Sequence, residues 1–314
     1  MDRIGVDIGG TFIKAGIVRD GKLISKLSVP TENELGTERI LDNIARAAAL
    51  AAESVGKRTE DFAFAGFGLP GNIDDKTGLV AMCPNLGNWR QFPFKTELEK
   101  RLPLRVYAGN DANCAVLGET KAGAAAGASD VVMLTLGTGV GGGVICDGRL
   151  ITGHNGLGAE LGHACMIPGG ELCGCGLRGC IEAYCSVTSL VRDTKRKMAA
   201  APDSLMHAYA KEAGEVDGRT SFECAKRGDA AAMELVEQYT DYLALGLGTL
   251  ITIFRPEVVL LGGGLSNQGD YLTDKVNAKT PRYSFASGFC PVPPVKRAML
   301  GNDAGIIGAA YLGE

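Results

Sequence analysis

The sequence predicts an α/β protein built from two similar domains that face each other. Three observations predict it: a repeated three-stranded segment, alternating strand-like and helix-like segments in the rest of the chain, and 45 glycines among 314 residues. The glycine content is about twice the ~7% that is usual in proteins, and it lacks the period of collagen. We therefore expect the glycines at tight turns and where two backbones pass close together.

The repeat is visible when residues 10–24 (GTFIKAGIVRDGKLI) are aligned with residues 137–151 (GTGVGGGVICDGRLI). The offset is 127 residues, and seven of the fifteen positions are identical. Each copy has the pattern of an apolar strand, a Gly-Thr turn, a second strand, an Asp-Gly turn and a third strand. Because both turns and their separation match, the segment indicates an internal duplication.

Helix-like and strand-like patterns continue between and after the two copies. Residues 37–55 carry apolar side chains on one helical face, and Gly56 is typical of a helix end. Residues 195–228 are polar and helical with loops, and they contain no motif that suggests a function. Further strands are predicted at 62–68, 104–108 and 258–261, and further helices at 112–121, 229–253 and 303–312.

Charge and hydropathy exclude several classes of protein. Lys and Arg number 32 and Asp and Glu number 36, so the net charge of −4 gives no basic surplus for nucleic acid or anionic membranes. The longest uncharged stretch, residues 131–146, is too short and too rich in glycine to span a bilayer. The first strand follows Met1-Asp2-Arg3 directly, which leaves no room for a signal peptide. We therefore expect a cytoplasmic protein whose ten cysteines are thiols or metal ligands.

Three glycine-rich turns that follow strands predict a nucleotide site. They are residues 7–11 (DIGGT), 136–143 (LGTGVGGG) and 261–266 (LGGGLS). Backbone N–H groups in such loops can close on phosphate oxygens, and Asp7 could hold a metal ion through water. None of the three matches the Walker pattern, and residues 261–266 lack the GxGxxG fingerprint. Two of the loops occupy duplicated positions, which favours a shared function.

Cys173, Cys175 and Cys180 lie within eight residues, and His163 lies ten residues upstream. Three thiolates and an imidazole are a common tetrahedral set for structural zinc; chance proximity or a redox pair are the alternatives. The phosphate loops lie outside this segment, so we expect nucleotide binding to be independent of the metal. The remaining cysteines are expected to be small buried hydrophobic residues: Cys83, Cys114, Cys146, Cys165, Cys185, Cys224 and Cys290.

A set of acidic and amide side chains surrounds these motifs. Asn110 and Asp111 follow a strand and precede a helix, so they are either a helix cap or a functional group at the carboxyl end of a strand. Glu160, His163 and Glu182 bracket the cysteine cluster. Carboxylates fixed beside a metal loop are suited to hydrogen bonding with vicinal sugar hydroxyls.

With these motifs in place, the chain resembles the ROK family of sugar kinases, and its glucokinases in particular, over essentially its whole length. DIGGT is similar to the family's first phosphate loop, LGTGVGGG to the second, and LLGGGLS (260–266) to the glycine loop on the nucleotide side. The family patterns GxExGH and CxCGxxGCxE occur at residues 158–163 and 173–182. Phe12 departs from the polar residue that many members carry after the threonine.

The resemblance implies a duplicated actin-like ATPase (ribonuclease H-like) fold with an active-site cleft between two domains. The smaller N-terminal domain would comprise residues 1–117 and the C-terminal helix at 300–314. The larger domain would comprise residues 118–299 and carry the zinc loop.

The resemblance also implies an activity and its residues. The protein would transfer a phosphoryl group from ATP, with Mg²⁺, to the 6-hydroxyl of a hexose such as glucose, and a structural Zn²⁺ would support the site. Asp111 would be the catalytic base. Hexose contacts would come from Gly71, Asn85, Asn110, Asp111, Glu160, His163 and Glu182. Nucleotide contacts would come from Asp7, Gly9, Gly10, Thr11, Lys14, Gly137, Thr138, Gly139, Gly262, Gly263 and Gly264. Zinc would be bound by His163, Cys173, Cys175 and Cys180.

Two other functions are compatible with the same family. One is a kinase for N-acylhexosamines, such as N-acetylmannosamine, or for another hexose. The other is a sugar-responsive repressor, which would carry a winged helix before the first phosphate loop, whereas here that loop begins at Asp7. We expect the kinase, with hexose and nucleotide as ligands, no nucleic acid or membrane partner, and a homodimeric assembly. The preferred sugar, and whether ATP, ADP or polyphosphate is the donor, are left open.

Overall fold

A computed structural model describes all 314 residues of the chain. The chain divides into two compact units, each assembled from separate segments. The domain boundaries expected from the sequence stay a prediction; the compact units differ from them by grouping 118–129 and 143–159 with the N-terminal segment. Unit 1 comprises Met1–Ser129, Gly143–Ala159 and Met299–Glu314, and unit 2 comprises Asp130–Gly142 and Glu160–Ala298.

Strands and helices alternate along most of the chain. The strands are β1 (Asp2–Ile8), β2 (Phe12–Arg19), β3 (Lys22–Pro30), β4 (Phe64–Leu69), β5 (Asn72–Asp74), β6 (Leu79–Cys83), β7 (Trp89–Phe92), β8 (Arg105–Asn110), β9 (Val131–Leu136), β10 (Val140–Cys146), β11 (Arg149–Leu150), β12 (Val258–Gly262) and β13 (Val295–Arg297). The α-helices are α1 (Thr37–Glu53), α2 (Phe94–Glu99), α3 (Asp111–Ala122), α4 (Glu182–Cys185), α5 (Val187–Ala200), α6 (Leu205–Ala213), α7 (Thr220–Lys226), α8 (Ala230–Phe254), α9 (Asp270–Lys279) and α10 (Ala304–Ala309).

The main sheet of unit 1 has the strand order β3-β2-β1-β4-β8. β1, β2 and β3 form an antiparallel meander, and β4 and β8 continue the sheet parallel to β1. The apolar face that the sequence predicted for α1 is buried in the same core as the β1 side chains Ile4, Val6 and Ile8. A second, three-stranded sheet of β5, β6 and β7 belongs to the same unit.

The last helix, α10, completes unit 1 by packing on β1, β4 and α3. Glycines make this close packing possible. A Cβ atom on Gly66 would lie 1.7 Å from the carbonyl oxygen of Ala309, and one on Gly308 would lie 1.7 Å from that of Cys114. The expected use of glycine at close backbone approaches is confirmed here.

The second five-stranded sheet has the order β11-β10-β9-β12-β13, which repeats the pattern of the first. Strand β12 runs parallel to both β9 and β13, and all five of its residues are buried, as is typical of a central parallel strand. The duplication predicted from residues 10–24 and 137–151 is therefore present in the topology. The boundary between the two units falls within β10.

The helices of unit 2 include α8, which is 25 residues long. Asp229 caps its first turn, because the side chain accepts a hydrogen bond from the N–H of Ala232 at 2.8 Å. The same carboxylate accepts from the N–H of Leu205 at 2.7 Å and from the hydroxyl of Ser204 at 3.0 Å, so it also joins the start of α6 to α8. No helix in the chain combines the length and the apolar character needed to cross a bilayer.

The cysteines outside the predicted metal cluster fall into two groups. Cys83, Cys114, Cys185 and Cys224 are buried, as expected. For three others the expectation is wrong, because Cys146 and Cys165 are exposed and Cys290 is half-buried. Cys146 ends β10 beside an Asp-Gly turn, and Cys165 lies in a loop, so neither position is covered by a helix or sheet.

Candidate functional site

The first phosphate loop of unit 1 is the tight turn between β1 and β2. The N–H of Gly9 donates to the carbonyl of Phe12 at 3.0 Å. The buried Thr31 supports the turn from the end of β3, since its hydroxyl donates to the carbonyl of Gly9 at 2.7 Å. Gly10 and Thr11 remain exposed at the tip, in the position that a phosphate-binding turn requires. No motif in the sequence would have singled out Thr31.

Asp7 and Lys14 lie opposite each other on β1 and β2. Their carboxylate oxygen and ammonium nitrogen are 3.6 Å apart. Burial raises the pKa of Asp7 above its ordinary value, and the charge of Lys14 opposes that shift. The two residues predicted to face nucleotide and metal are thus brought together beside the first phosphate loop.

Asn110 and Asp111 lie where β8 ends and α3 begins. Asn110 is the helix cap, because its side-chain oxygen accepts hydrogen bonds from the N–H groups of Ala112 and Asn113 at 2.8 and 3.2 Å. Its side-chain nitrogen donates to the carbonyl of Gly71 at 3.0 Å. Asp111 is the first residue of the helix and is exposed, with one carboxylate oxygen 2.8 Å from the N–H of Ala112. The positive end of the helix dipole favours a negative charge at this position.

The turn at Gly71 is fixed by the backbone around it. Gly71 has a φ of +98°, and a Cβ there would lie 2.4 Å from the carbonyl oxygen of Met82. Asn85 lies in the loop between β6 and β7, where its carbonyl accepts from the side chain of Asn33 at 3.4 Å. A Cβ on Gly10 would lie 3.3 Å from the same carbonyl oxygen, so this loop and the first phosphate loop are neighbours.

Cys83 lies beneath these turns and was not predicted to belong to the site. A Cβ on Gly71 would lie 3.1 Å from its Cα atom. Burial raises the pKa of the Cys83 thiol to about 11, hydrogen bonds from the backbone of Leu86 and Asn85 oppose the rise, and the negative charge of Asp111 adds to it. Cys83 is therefore a neutral packing residue between the Gly71 turn and the Asn85 loop. A single buried cysteine has no sequence signal that would distinguish this position.

The second phosphate loop lies in unit 2, between β9 and β10. The N–H of Gly137 donates to the carbonyl of Gly139 at 3.0 Å, and this bond closes the turn. The N–H of Val187 donates to the carbonyl of Gly137 at 2.8 Å, and the hydroxyl of Thr188 donates to that of Thr138 at 2.7 Å. The start of α5 therefore holds the loop in place.

The third glycine loop, Gly262–Gly264, lies against the end of β9. Gly263 has a φ of +78°, and a Cβ there would lie 2.5 Å from the carbonyl oxygen of Leu136. Only glycine fits this crossing without displacing the backbone. The hydroxyl of Ser266 donates to the carbonyl of Gly263 at 2.7 Å and fixes the turn. The second and third loops are thus adjacent within unit 2, as a shared nucleotide site requires.

The Cys3His cluster is assembled as the spacing predicted. One ligand atom from each of His163, Cys173, Cys175 and Cys180 lies within 4.8 Å of all the others. Sγ of Cys173 is 3.7 Å from Nδ1 of His163, and the Sγ atoms of Cys175 and Cys180 are also 3.7 Å apart. A tetrahedron with metal–sulfur bonds of about 2.3 Å has edges of about 3.8 Å, so both distances fit a tetrahedral ion. Nδ1 is the imidazole nitrogen that faces the cluster.

The two acidic residues that bracket the cluster have different surroundings. Glu160 is exposed, and its carbonyl accepts from the N–H of His163 at 3.0 Å. Glu182 is half-buried and uses both carboxylate oxygens: Oε1 accepts from the thiol of Cys173 at 3.2 Å, and Oε2 from the N–H of Val140 at 2.9 Å. The expected independence of nucleotide binding from the metal stays a prediction, although this bond joins the metal segment to the second phosphate loop. The spacing of residues along the chain could not show that a carboxylate beside Cys180 accepts a bond from the second phosphate loop.

Similarity to known proteins extends over the whole chain. A protein of Thermotoga maritima named glucokinase is 39% identical over 310 residues, which are 98% of this chain and 96% of that protein. The crystal structure of the ROK hexokinase from Thermus thermophilus is 38% identical with a TM-score of 0.85, and it covers 99% of this chain and 97% of its own. A ROK family glucokinase from Streptomyces griseus, solved with glucose and AMPPNP, is 37% identical with a TM-score of 0.82 over 99% of both chains.

These likenesses confirm the duplicated actin-like fold expected from the sequence. They agree with the two sheets of matching strand order described above. The sequence profile of the ROK family matches residues 3–314. The chain therefore belongs to the ROK family.

Proposed function

We propose that this protein is an ATP-dependent kinase that phosphorylates a hexose at its 6-hydroxyl, with glucose as the preferred substrate. The observation that carries the proposal is an exposed Asp111 at the junction of β8 and α3, in a chain 37% identical to a glucokinase solved with glucose and AMPPNP. The three glycine loops and the acidic residues around the Cys3His cluster support the same activity.

Asp111 is proposed as the general base. A hydroxyl that attacks the γ-phosphorus must lose its proton, and a carboxylate placed to accept it speeds the reaction by about 10²–10⁴-fold. Asn110 would hold the base in position, because it caps α3 and is hydrogen-bonded to Gly71. Asp111 lies at the N-terminal end of α3, where the helix dipole favours a negative charge.

The residues that matched the family motifs are proposed to bind the two substrates. Beside Asp111, the hexose would be held by Gly71, Asn85, Asn110, Glu160, His163 and Glu182. Mg²⁺ would enter with ATP and neutralise charge on the phosphate oxygens. The nucleotide and its ion would be held by Asp7, Gly9, Gly10, Thr11, Lys14, Gly137, Thr138, Gly139 and Gly262–Gly264.

Zinc is proposed as the ion of the Cys3His cluster. Three thiols and one imidazole are a donor set typical of structural zinc, and two of their separations, both 3.7 Å, match the edge of a tetrahedron. Four protein ligands leave no open position, so the ion would have a structural role. With Nδ1 toward the ion, Nε2 of His163 would be the nitrogen that contacts the sugar. A cytoplasmic location and a homodimer complete the proposal.

A coupled assay of ADP release tests this function. Purified protein would be given ATP with glucose, mannose, fructose, N-acetylglucosamine or N-acetylmannosamine, and then glucose with ADP or polyphosphate as the donor. We expect the highest kcat/KM with glucose and ATP. A higher value with an N-acylhexosamine would correct the substrate. If no sugar increases phosphoryl transfer above the background rate, the proposed function is wrong.

A further inference from the structure

We propose that Glu182 is a positioning residue that couples the Cys3His cluster to the second phosphate loop, so that nucleotide affinity depends on the metal. This proposal rests on the proposed function, because it concerns the nucleotide that residues 137–140 would bind. It assigns Glu182 a second role besides contact with the sugar.

The first support is that Glu182 bridges two structures that are far apart in sequence. Oε2 accepts from the N–H of Val140 at 2.9 Å, and Oε1 lies 3.2 Å from Sγ of Cys173. A Cβ on Gly139 would lie 2.5 Å from Oε2, so the loop backbone lies directly against the carboxylate. A hydrogen bond from a backbone N–H to a carboxylate is about twice as strong as a neutral one.

The second support is that the cluster fixes the backbone that bears Glu182. Glu182 follows the ligand Cys180 by two residues, and α4 begins at Glu182 itself. Loss of the metal would release Cys180, and with it the backbone that positions the carboxylate. Val140 would then lose a fixed acceptor for its N–H group.

The third support is that the hydrogen bonds continue beyond Glu182. Val187 and Thr188 bind the carbonyls of Gly137 and Thr138, as described above. The loop at 137–140 is therefore attached at successive residues to the segment that begins at the last metal ligand. A displacement of that segment would reach the loop through contacts that are all within unit 2.

The first experiment measures ADP binding by isothermal titration calorimetry with no sugar present, together with zinc content. We expect Glu182→Ala to retain zinc and to bind ADP about tenfold more weakly, equivalent to about 1.4 kcal/mol. Glu182→Gln keeps an oxygen that can accept from Val140, so its affinity should stay within about threefold of wild type. Glu171→Ala is the matched control, because that loop carboxylate pairs with Arg192 and Arg196 and should leave ADP affinity unchanged.

Hydrogen exchange provides a readout that does not depend on activity. In Glu182→Ala, we expect faster exchange in the peptide that contains Val140 and unchanged exchange in β12, which reports that the unit is still folded. Wild-type protein stripped of zinc, and the variant Cys175→Ser, should show the same local change and a similar loss of ADP affinity. Removal of zinc from Glu182→Ala should lower its ADP affinity little further, since zinc removal and the substitution break the same connection between the cluster and the loop.

The outcomes separate this proposal from the proposed function. Wild-type protein that binds no adenine nucleotide would overturn both. If wild type binds ADP and Glu182→Ala binds it equally well, with unchanged exchange at Val140, the coupling is wrong and the kinase assignment stands. Full additivity between zinc removal and Glu182→Ala would also show that the residue does not connect the two sites.

Discussion

Asp111 lies at the positive end of the dipole of α3, which favours a negative charge there. Its neighbour Asn110 caps α3 by accepting from Ala112 and Asn113, and Asp111 shares the first of these donors. Of the two alternatives that the sequence left open, the helix cap is confirmed for Asn110, and the functional role of Asp111 stays a prediction.

We expect Asp111→Asn to lower kcat by about 10²–10⁴-fold, because the amide keeps the shape of the side chain but cannot accept the proton. The affinity for glucose, measured by thermal shift, should change much less than kcat. Asp270→Asn is a matched control, since Asp270 is also the exposed first residue of a helix. A near-normal kcat for Asp111→Asn would leave Asp111 without a catalytic role.

Residue types and spacing were sufficient to predict the members of the Cys3His cluster. The four residues carry their chemistry in their side chains, and the glycines between them allow a short loop to turn. The same reasoning could not find Thr31, Cys83 or the contact between Glu182 and Val140. Those contacts join residues that are distant in sequence, and one partner is a backbone group that every residue has.

At the level of elements, Asp229 stabilises two helices with one carboxylate. Burial alone would raise its pKa, but hydrogen bonds from the N–H groups of Ala232 and Leu205 and from Ser204 outweigh burial, and the pKa of Asp229 is lower than its ordinary value. A lowered pKa means that the folded state binds the proton more weakly than the unfolded state. The stabilisation is therefore complete above about pH 4 and is lost as the pH falls through the folded-state pKa.

Asp229→Ala should reduce the free energy of unfolding at pH 7 by about 1–3 kcal/mol, because it removes a cap and leaves buried donors unpaired. The difference from wild type should shrink when the pH falls below about 4. Urea denaturation followed by circular dichroism at several pH values measures both effects. A difference that stays constant down to low pH would contradict the assigned role of the charge.

Elements with a long, regular pattern were the ones that the sequence predicted well. The periodic apolar face of α1 and the long α8 were both expected from their residues, and each matches within two residues. The sheet of β5, β6 and β7 was not predicted. Its strands have three to five residues each and lie among turn residues, so they are too short to show an alternating pattern.

At the scale of the whole molecule, the two ends of the chain meet in unit 1. The helix α10 packs on β1 and β4, and three close backbone approaches, at Gly5, Gly66 and Gly308, leave no space for a side chain. The internal repeat predicted the two equivalent sheets, because both copies kept their turn residues. It could not predict this closing contact, which depends on glycines that are scattered along the sequence.

Gly308→Ala should lower the free energy of unfolding of unit 1 by roughly 3 kcal/mol or more, since the new Cβ would overlap the backbone of Cys114. Gly288→Ala is the control, because a Cβ there would meet nothing within 4 Å. The single tryptophan, Trp89, lies in unit 1, so its fluorescence during urea denaturation reports this transition. Equal stability of the two variants would show that α10 can move away at little cost.

The position of α10 also sets the order in which the nascent chain can finish folding. At about 5–20 residues per second, a ribosome needs roughly 15–60 s to make a chain of this length. During that time β1 and β4 already exist, but the helix that covers Gly5 and Gly66 does not. All of unit 2 is synthesised before Met299, so it can complete its core first. The sheet that is made first is therefore completed last, and Gly5 and Gly66 stay uncovered until α10 has been synthesised.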